Sequence, residues 1–268
     1  MDLKDKSVVI TGGASGIGAA LARQAASAGA RVCIADLNGD QAQAVAEEIG
    51  GVAATCDVTR EGDIIAAIKL AEAAHGPVDV FVSNAGLGKG DPDHAASAPD
   101  ADWMLNWNVH VMAHVWAARA LLPAMIARGS GYFVNVASAA GLLNQIGDAA
   151  YSATKHAAVS FAESLKIAHG EQGIGVSVVC PQYVATPLLG LGDGDAAGNL
   201  LTASDVAKSV WDGVRDGKFV ILPHPDVATY SALRGANPDR WIKGMQMLRA
   251  KAMAEQGGIS VSSFYKLV

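Results

Sequence analysis

SVVITGGASGIGAALARQ, residues 7–24, is the stretch that decides the fold. A β-branched run ends in a turn with three spaced glycines, and a helical pattern follows. Gly12, Gly16 and Gly18 stand as G-x-x-x-G-x-G. Glycine lets a backbone turn tightly and lets a ligand approach without a Cβ in the way. The helix behind such a turn offers unpaired N–H groups and the positive end of its dipole, which suits a pyrophosphate. A strand before and a helix after is the context that gives the glycines this meaning.

Working outward, the same alternation repeats. Strand-like runs at 31–36, 51–57, 78–86, 132–138, 175–181 and 218–223 alternate with helix-like stretches at 16–28, 40–50, 61–75, 101–127, 151–170 and 203–216. The strand runs are continuously apolar, the mark of strands covered on both faces. The expected class is therefore α/β, a parallel doubly wound sheet with helices on both faces. No linker or repeat divides the chain, so residues 1–268 read as one domain with a core at 5–223. The Gly- and Asp-rich segment 187–202 reads as a mobile loop near the substrate. Residues 224–268 form a C-terminal extension, where Asn237-Pro238 starts a helix carrying Trp241, Met245 and Leu248 on one face. Packing is the favoured role of that face over substrate contact.

Apolar residues make up 51% and charged ones 17%, which suggests a buried sheet or an oligomer interface. The net charge of −6 and scattered basic residues speak against a nucleic-acid partner. The N-terminus lacks a secretory pattern, and no uninterrupted apolar run is long enough for a bilayer, so no membrane is expected and the expected location is the cytoplasm. Cys33, Cys56 and Cys180 are odd in number and lack a Cys-x-x-Cys pair, which fits buried free thiols in a reducing compartment.

Asp36 closes the second strand eighteen residues after Gly18. A carboxylate there accepts hydrogen bonds from the hydroxyls of an adenosine ribose and repels a 2′-phosphate. Ala35, Leu37 and Asn38 beside it offer no cation, so NAD is expected over NADP. The competing role is a cap for the next helix. Asp57 and Val58 close the third strand and suit an adenine amino group and an apolar wall, with a turn-forming Asp57 as the alternative.

Tyr151 and Lys155 stand four apart in AAYSATKHAAVSF, on one face if the run is helical. Ser138 lies thirteen positions before Tyr151. A free phenol has a pKa near 10. The Lys155 ammonium and an oxidised nicotinamide both favour the phenolate, and lowering its pKa by about 3 units needs ~4 kcal/mol. Tyr151 would then exchange a proton with an alcohol or ketone, while Ser138 hydrogen-bonds the substrate oxygen.

TGGASGIG, Asp36, Asp57-Val58, Asn84-Ala85-Gly86, Asn108, Ser138, Tyr151-x-x-x-Lys155 and Pro181 to Thr186 resemble the short-chain dehydrogenase/reductase family in order and spacing. The resemblance implies a seven-stranded Rossmann sheet, a nicotinamide cofactor and a homodimer or homotetramer. It implies a tetrad of Asn108, Ser138, Tyr151 and Lys155, with Asn108 holding a water that relays protons to Lys155. It implies a cofactor lined by Ser15, Ile17, Leu37, Asn84, Ala85, Gly86 and Pro181, with Val184 and Thr186 at the carboxamide. The family commonly has glycine after the proline of the sixth strand. Here Gln182 stands there, strained if the backbone needs φ > 0 and otherwise a specificity candidate. Ser83 replaces a common asparagine, with little expected effect.

The expected substrate is a secondary alcohol or ketone, apolar or aromatic. Candidate wall positions are Ala140, Leu142, Asn144, Gln145, Asp148, Gln182 and the loop 187–202. Few cations stand among them, which speaks against strongly anionic substrates, although the extension carries Arg234, Arg240, Lys243 and Arg249. The alternatives are a 3-oxoacyl thioester reductase using NADPH and a non-catalytic dinucleotide-binding sensor or scaffold. His110 and His114 have metal-compatible spacing, but their segment is apolar and no acidic partner follows. Asp91, Asp93 and His94 read as a polar loop, and Trp103 and Trp107 as core or interface residues.

Overall fold

Central strands with apolar side chains on both faces can only sit between two layers of helix, and this chain builds that arrangement. The computed structural model describes residues 1–267, with the backbone alone for residues 193 and 261–263. In order the elements are β1 (Ser7–Thr11), α1 (Gly16–Ser27), β2 (Arg31–Asp36), α2 (Gly39–Ile49), β3 (Val52–Thr55), α3 (Glu61–His75) and β4 (Val80–Ser83). Then come α4 (Asp100–Trp107), a π-helical turn (Asn108–Met112), α5 (Ala113–Ala127), β5 (Gly131–Val136), α6 (Ala140–Leu143), α7 (Ala149–His169) and β6 (Ile174–Val179). Last are β7 (Val184–Ala185), β8 (Leu201–Thr202), α8 (Ala203–Arg215), β9 (Val220–Ile221), α9 (Asp226–Ala236) and α10 (Pro238–Gln256).

Seven strands pair in parallel in the order β3-β2-β1-β4-β5-β6-β9, and β7 pairs with β8 apart from them. The alternation of side chains sorts the core into two halves. Val9 and Cys33 join the layer under α3, α5 and α7, whereas Val8, Ile10, Val32 and Ile34 join the layer under α1, α2 and α8. Full burial of each such Val or Ile side chain contributes about 1.5–3 kcal/mol over exposure. Cys33, Cys56 and Cys180 are free and buried, and burial pushes each thiol up to about 12.

The order reverses between β1 and β4, so a crevice opens beyond the carboxyl ends of the central strands. The glycine turn, Asp36, Asn84, Ser138 and Pro181 all lie at or just past strand ends on that side.

Three segments add to the sequence reading. The helical stretch Asp100–Ala127, 28 residues with a peak mean hydropathy of 1.3, is long and apolar enough to cross a bilayer by composition, although polar residues such as Asn106, Asn108 and Arg119 interrupt it. Half of that apolar window is buried within the fold, against α3 and α7 among other elements. The segment 187–202 holds two short 3-10 turns and β8, and its Pro187, Leu191 and Gly192 lie beside Gly16 and Ala20 of α1. The extension forms α9 and α10 and closes over Ser138 rather than trailing from the last strand.

Candidate active site

The turn after β1 is built around glycine. Gly12 adopts φ 63° and Gly16 φ 50°, conformations that cost an L side chain energy. A Cβ on Gly18 would sit 2.0 Å from the Gly12 carbonyl and 2.6 Å from Asn84 Nδ2. Asn84 locks this turn to β4: its Nδ2 donates to Thr11 O (2.9 Å) and Gly12 O (3.0 Å), while its own N–H donates to Thr11 Oγ1 (3.0 Å). Ala85 lies so close that a Cβ on Gly12 would meet its Cα at 2.8 Å. Ser15 is the N-cap of α1 and makes no side-chain capping bond, so the leading N–H groups of α1 stay open to an anion. Ile17 packs partly into the core beneath. Thr186 comes over the same turn, its Cγ2 3.3 Å from where a Gly16 Cβ would lie. Val184 beside it is buried in β7.

At the end of β2, Asp36 does not cap α2. Asn38 does, accepting from Gln41 N (3.1 Å). Asp36 instead accepts from Ala14 N (3.0 Å) and Asn38 N (3.0 Å), which holds a carboxylate at the edge of the glycine turn. Leu37 beside it is 72% exposed, open to cover a flat ligand. Asp57 takes the turn role: Oδ1 accepts from Thr59 N (3.0 Å) and Thr59 Oγ1 (2.7 Å), and the Thr59 hydroxyl lowers its pKa. Val58 is buried in the core. An open helix N-terminus, a glycine cradle that a Cβ would fill and a carboxylate at its edge together fit a dinucleotide.

Helix α7 brings Tyr151 and Lys155 to one face. Its N-cap is Asp148, whose Oδ1 accepts from Tyr151 N (3.0 Å). Asp148 is buried and packs against Gly90, so it is a cap and not a substrate wall. An asparagine or aspartate ahead of a helix is preferred for this reason. Lys155 Nζ lies 5.5 Å from the Tyr151 ring centroid and donates to Val136 O (3.1 Å). It also passes near Gly86, where a Cβ would stand 3.7 Å from it. Burial pushes the Lys155 ammonium down to about 8.

Burial also raises the Tyr151 phenol above its ordinary value; the hydrogen bond with Ser138 opposes that, and the nearby Asp148 carboxylate adds to it. The sequence reading has Lys155 and a bound oxidised nicotinamide together lowering this phenol; in the free protein burial sets its direction, because taking a phenolate out of water is costly.

Ser138 follows β5, and its Oγ accepts from Ala140 N (3.1 Å). Ala139 N donates to Pro181 O (2.8 Å), tying that turn to the end of β6. Asn108 opens the π-helical turn, and its carbonyl accepts from Ala113 N five residues on. Such turns recur at functional sites because they shift helical carbonyls out of register.

The sequence reading weighs His110 only as a metal ligand and assigns it no place in the site. This histidine is fully buried and meets the Tyr151 ring edge-on, with centroids 5.3 Å apart at 88°. Nε2 accepts from Leu87 N (3.3 Å), so Nδ1 carries the proton toward Thr154 Oγ1 (2.9 Å). Burial, then Lys155, pushes its pKa well down, so this imidazole is neutral. His114 is buried too, pushed down to about 3 by the same causes. Of the other discounted residues, Trp107 is 41% exposed on α4.

Beside Ser138 lies a cavity of about 500 Å³. Ala140, Asn144, Gln145 and Gln182 line it, as expected; among the described residues Leu142, Asp148 and segment 187–202 do not. Gln182 has no positive φ, so the residue that replaces glycine is unstrained. Asn144 is the strained one, at φ 71° and ψ 150°. Gln145 Oε1 accepts from the Tyr183 hydroxyl (3.1 Å). His224 clamps the turn: Nδ1 accepts from Gln182 N (3.1 Å) and Nε2–H donates to Tyr183 O (3.0 Å). The far wall is α9 and α10, with Leu233, Trp241, Met245 and Leu248. The apolar face of α10 therefore lines the cavity, which favours the substrate-contact role over the packing role that the sequence reading preferred. The Asn237 cap behaves as expected, accepting from Arg240 N (2.9 Å).

Known proteins carry the same plan. Along its whole length the chain is similar to a 1-deoxy-11-beta-hydroxypentalenate dehydrogenase of Streptomyces avermitilis, at 34% identity over 98% of this chain and 99% of that one. It is 30% identical to a (+)-borneol dehydrogenase 2 of Salvia officinalis over 92% of this chain and 88% of that one. Its fold superposes on a short chain dehydrogenase/reductase from Burkholderia phymatum in complex with NAD, with TM-score 0.81 and 26% identity over 89% and 96% of the two chains. Residues 6–192 match the model of the short chain dehydrogenases, and that match, the seven-stranded sheet and the dinucleotide cradle together make this chain a member of the short-chain dehydrogenase family of oxidoreductases.

Proposed function

We propose that this protein is an NAD(H)-dependent dehydrogenase that interconverts an apolar alicyclic secondary alcohol and its ketone. The observation that carries this reading is the cavity of about 500 Å³ that opens on Ser138 and is walled mainly by apolar side chains. Its size suits a small molecule. A wall made by α9 and α10 favours a compact substrate over an acyl chain presented on a carrier. The two similar dehydrogenases, whose names refer to a hydroxypentalenate and to borneol, support the same class.

In this reading the turn Gly12–Gly18 holds the pyrophosphate, Asp36 the adenosine ribose and Lys155 the second ribose. A nicotinamide dinucleotide bound there supplies the hydride acceptor or donor. Ser138 donates a hydrogen bond to the substrate oxygen and keeps it beside Tyr151. Tyr151 accepts the alcohol proton during oxidation and returns it during reduction. Lys155, aided by the displaced carbonyls of the π-helical turn at Asn108, passes that proton toward water.

Burial keeps the Tyr151 phenol protonated at neutral pH in the free protein. Oxidation therefore gains rate as pH rises, because the base form grows, and reduction loses rate over the same window. The kcat/KM profile with saturating NAD+ should climb between about pH 6 and 9. A flat profile there would remove Tyr151 as the base.

Asp36→Ala tests the cofactor. Loss of a charge-assisted bond to the ribose should lower the NAD+ to NADP+ ratio of kcat/KM about 10- to 100-fold. A native enzyme that prefers NADP+ would refute this assignment of Asp36.

A further inference from the structure

One residue with a charged side chain lines the cavity among the described residues, Arg240, which is exposed at its rim. The polar remainder of the lining is neutral: Ser138, Asn144, Gln145, Gln182, two tyrosines and Asn237. No carboxylate lines it among those residues, in a chain whose net charge is −6. Arg240 makes no ion pair or side-chain hydrogen bond among them either. The other cations of the extension are differently placed. Arg234 is bound to the Leu142 carbonyl and to His156 Nε2 (3.1 Å), and Lys243, Arg249, Lys251 and Lys266 do not line the cavity. Arg240 also sits in the first turn of α10, where the helix dipole adds to its positive potential.

We infer that Arg240 anchors a carboxylate on the substrate, so that the preferred alcohol is an apolar alicyclic hydroxy acid. This rests on the alcohol-dehydrogenase reading and narrows it. A guanidinium matches a carboxylate with two parallel N–H donors. Burying an apolar skeleton against Leu143, Ile146, Trp241 and Met245 leaves one anionic group with one partner to find. Because Ser138 and Arg240 line the same cavity from separate elements, contacts to both orient the skeleton and present one face of the carbinol carbon. The sequence reading argued against strongly anionic substrates from the scarcity of cations among its wall positions and left Arg240 of the extension unplaced; the fold brings Arg240 to the cavity.

The test uses the full chain saturated with NAD+ and a compact apolar pair, adamantanecarboxylate and its neutral analogue adamantanecarboxamide, measured by calorimetry at neutral pH. The acid should bind about tenfold or more tightly than the amide. Arg240→Gln should bring that ratio to about one, and Arg240→Lys should leave part of it. The ratio within each variant cancels any general loosening of α10. Equal binding of the two probes, or an acid preference that survives Arg240→Gln, would overturn the anchor. Turnover of borneol with NAD+ is followed in parallel. If borneol is oxidised and the acid preference is missing, the anchor alone fails. If no alcohol in a broad panel reduces NAD+, the dehydrogenase reading fails, and the anchor with it as a substrate contact.

Discussion

Tyr151→Phe is expected to cut turnover about 10²- to 10⁴-fold, the usual worth of a positioned acid–base group, while dinucleotide affinity stays at the native level. The substitution removes one oxygen and little else. The ring keeps its edge contact with His110 at 5.3 Å, and Lys155 keeps its carbonyl partner at Val136. The cofactor cradle of Gly12 to Gly18 is the turn between β1 and α1 and does not involve this side chain. Steady-state rates paired with fluorescence titration of NADH separate the two effects. Turnover within a few-fold of native would end the role proposed for the phenol, and loss of NADH binding would show that Tyr151 supports the site rather than reacts in it.

Gly18→Ala is expected to weaken NAD+ binding about 10- to 100-fold and to lower the melting temperature. By helix propensity alone the change would help, since alanine is favoured over glycine by ~1 kcal/mol. Geometry reverses the sign here. The new Cβ would stand 2.0 Å from the Gly12 carbonyl, and that carbonyl is already held by Asn84 Nδ2 at 3.0 Å. Neither neighbour is the loose end of a flexible side chain, so the turn must open. Gly62→Ala in α3 is the control, because nothing lies within 4 Å of its added Cβ. Calorimetry of both variants checks the contrast. An unchanged NAD+ affinity in Gly18→Ala would mean that the turn is not the pyrophosphate seat.

How far the sequence could be read follows from the range of each interaction. Strands such as Arg31–Asp36 were legible because a run buried on both faces carries no polar positions between its ends, here Val32 to Ala35. The glycine turn was legible because its need is local to a few residues. Asp148 was misread, since a carboxylate two residues before Ala150 looks the same whether it caps α7 or faces a ligand. His110 was given no place in the site because its contacts come from Leu87 and Thr154, far apart in sequence. The rise of the Tyr151 phenol in the free protein was not legible, because the weight of burial depends on neighbours that no spacing reveals. The extension was hardest: the helix from Asn237 was expected, but where it docks is decided by tertiary contact alone.

Asn144 holds φ 71° and ψ 150° on the cavity wall, a region almost reserved for glycine and costing about 1–3 kcal/mol. The fold carries this conformation at the place where its substrate would touch it. Thermal tolerance and substrate choice are thereby bound to the same residue. A lineage selected for heat would gain from glycine at this position and surrender the amide that faces the guest. A lineage selected for a particular guest would keep the amide and tolerate a softer protein.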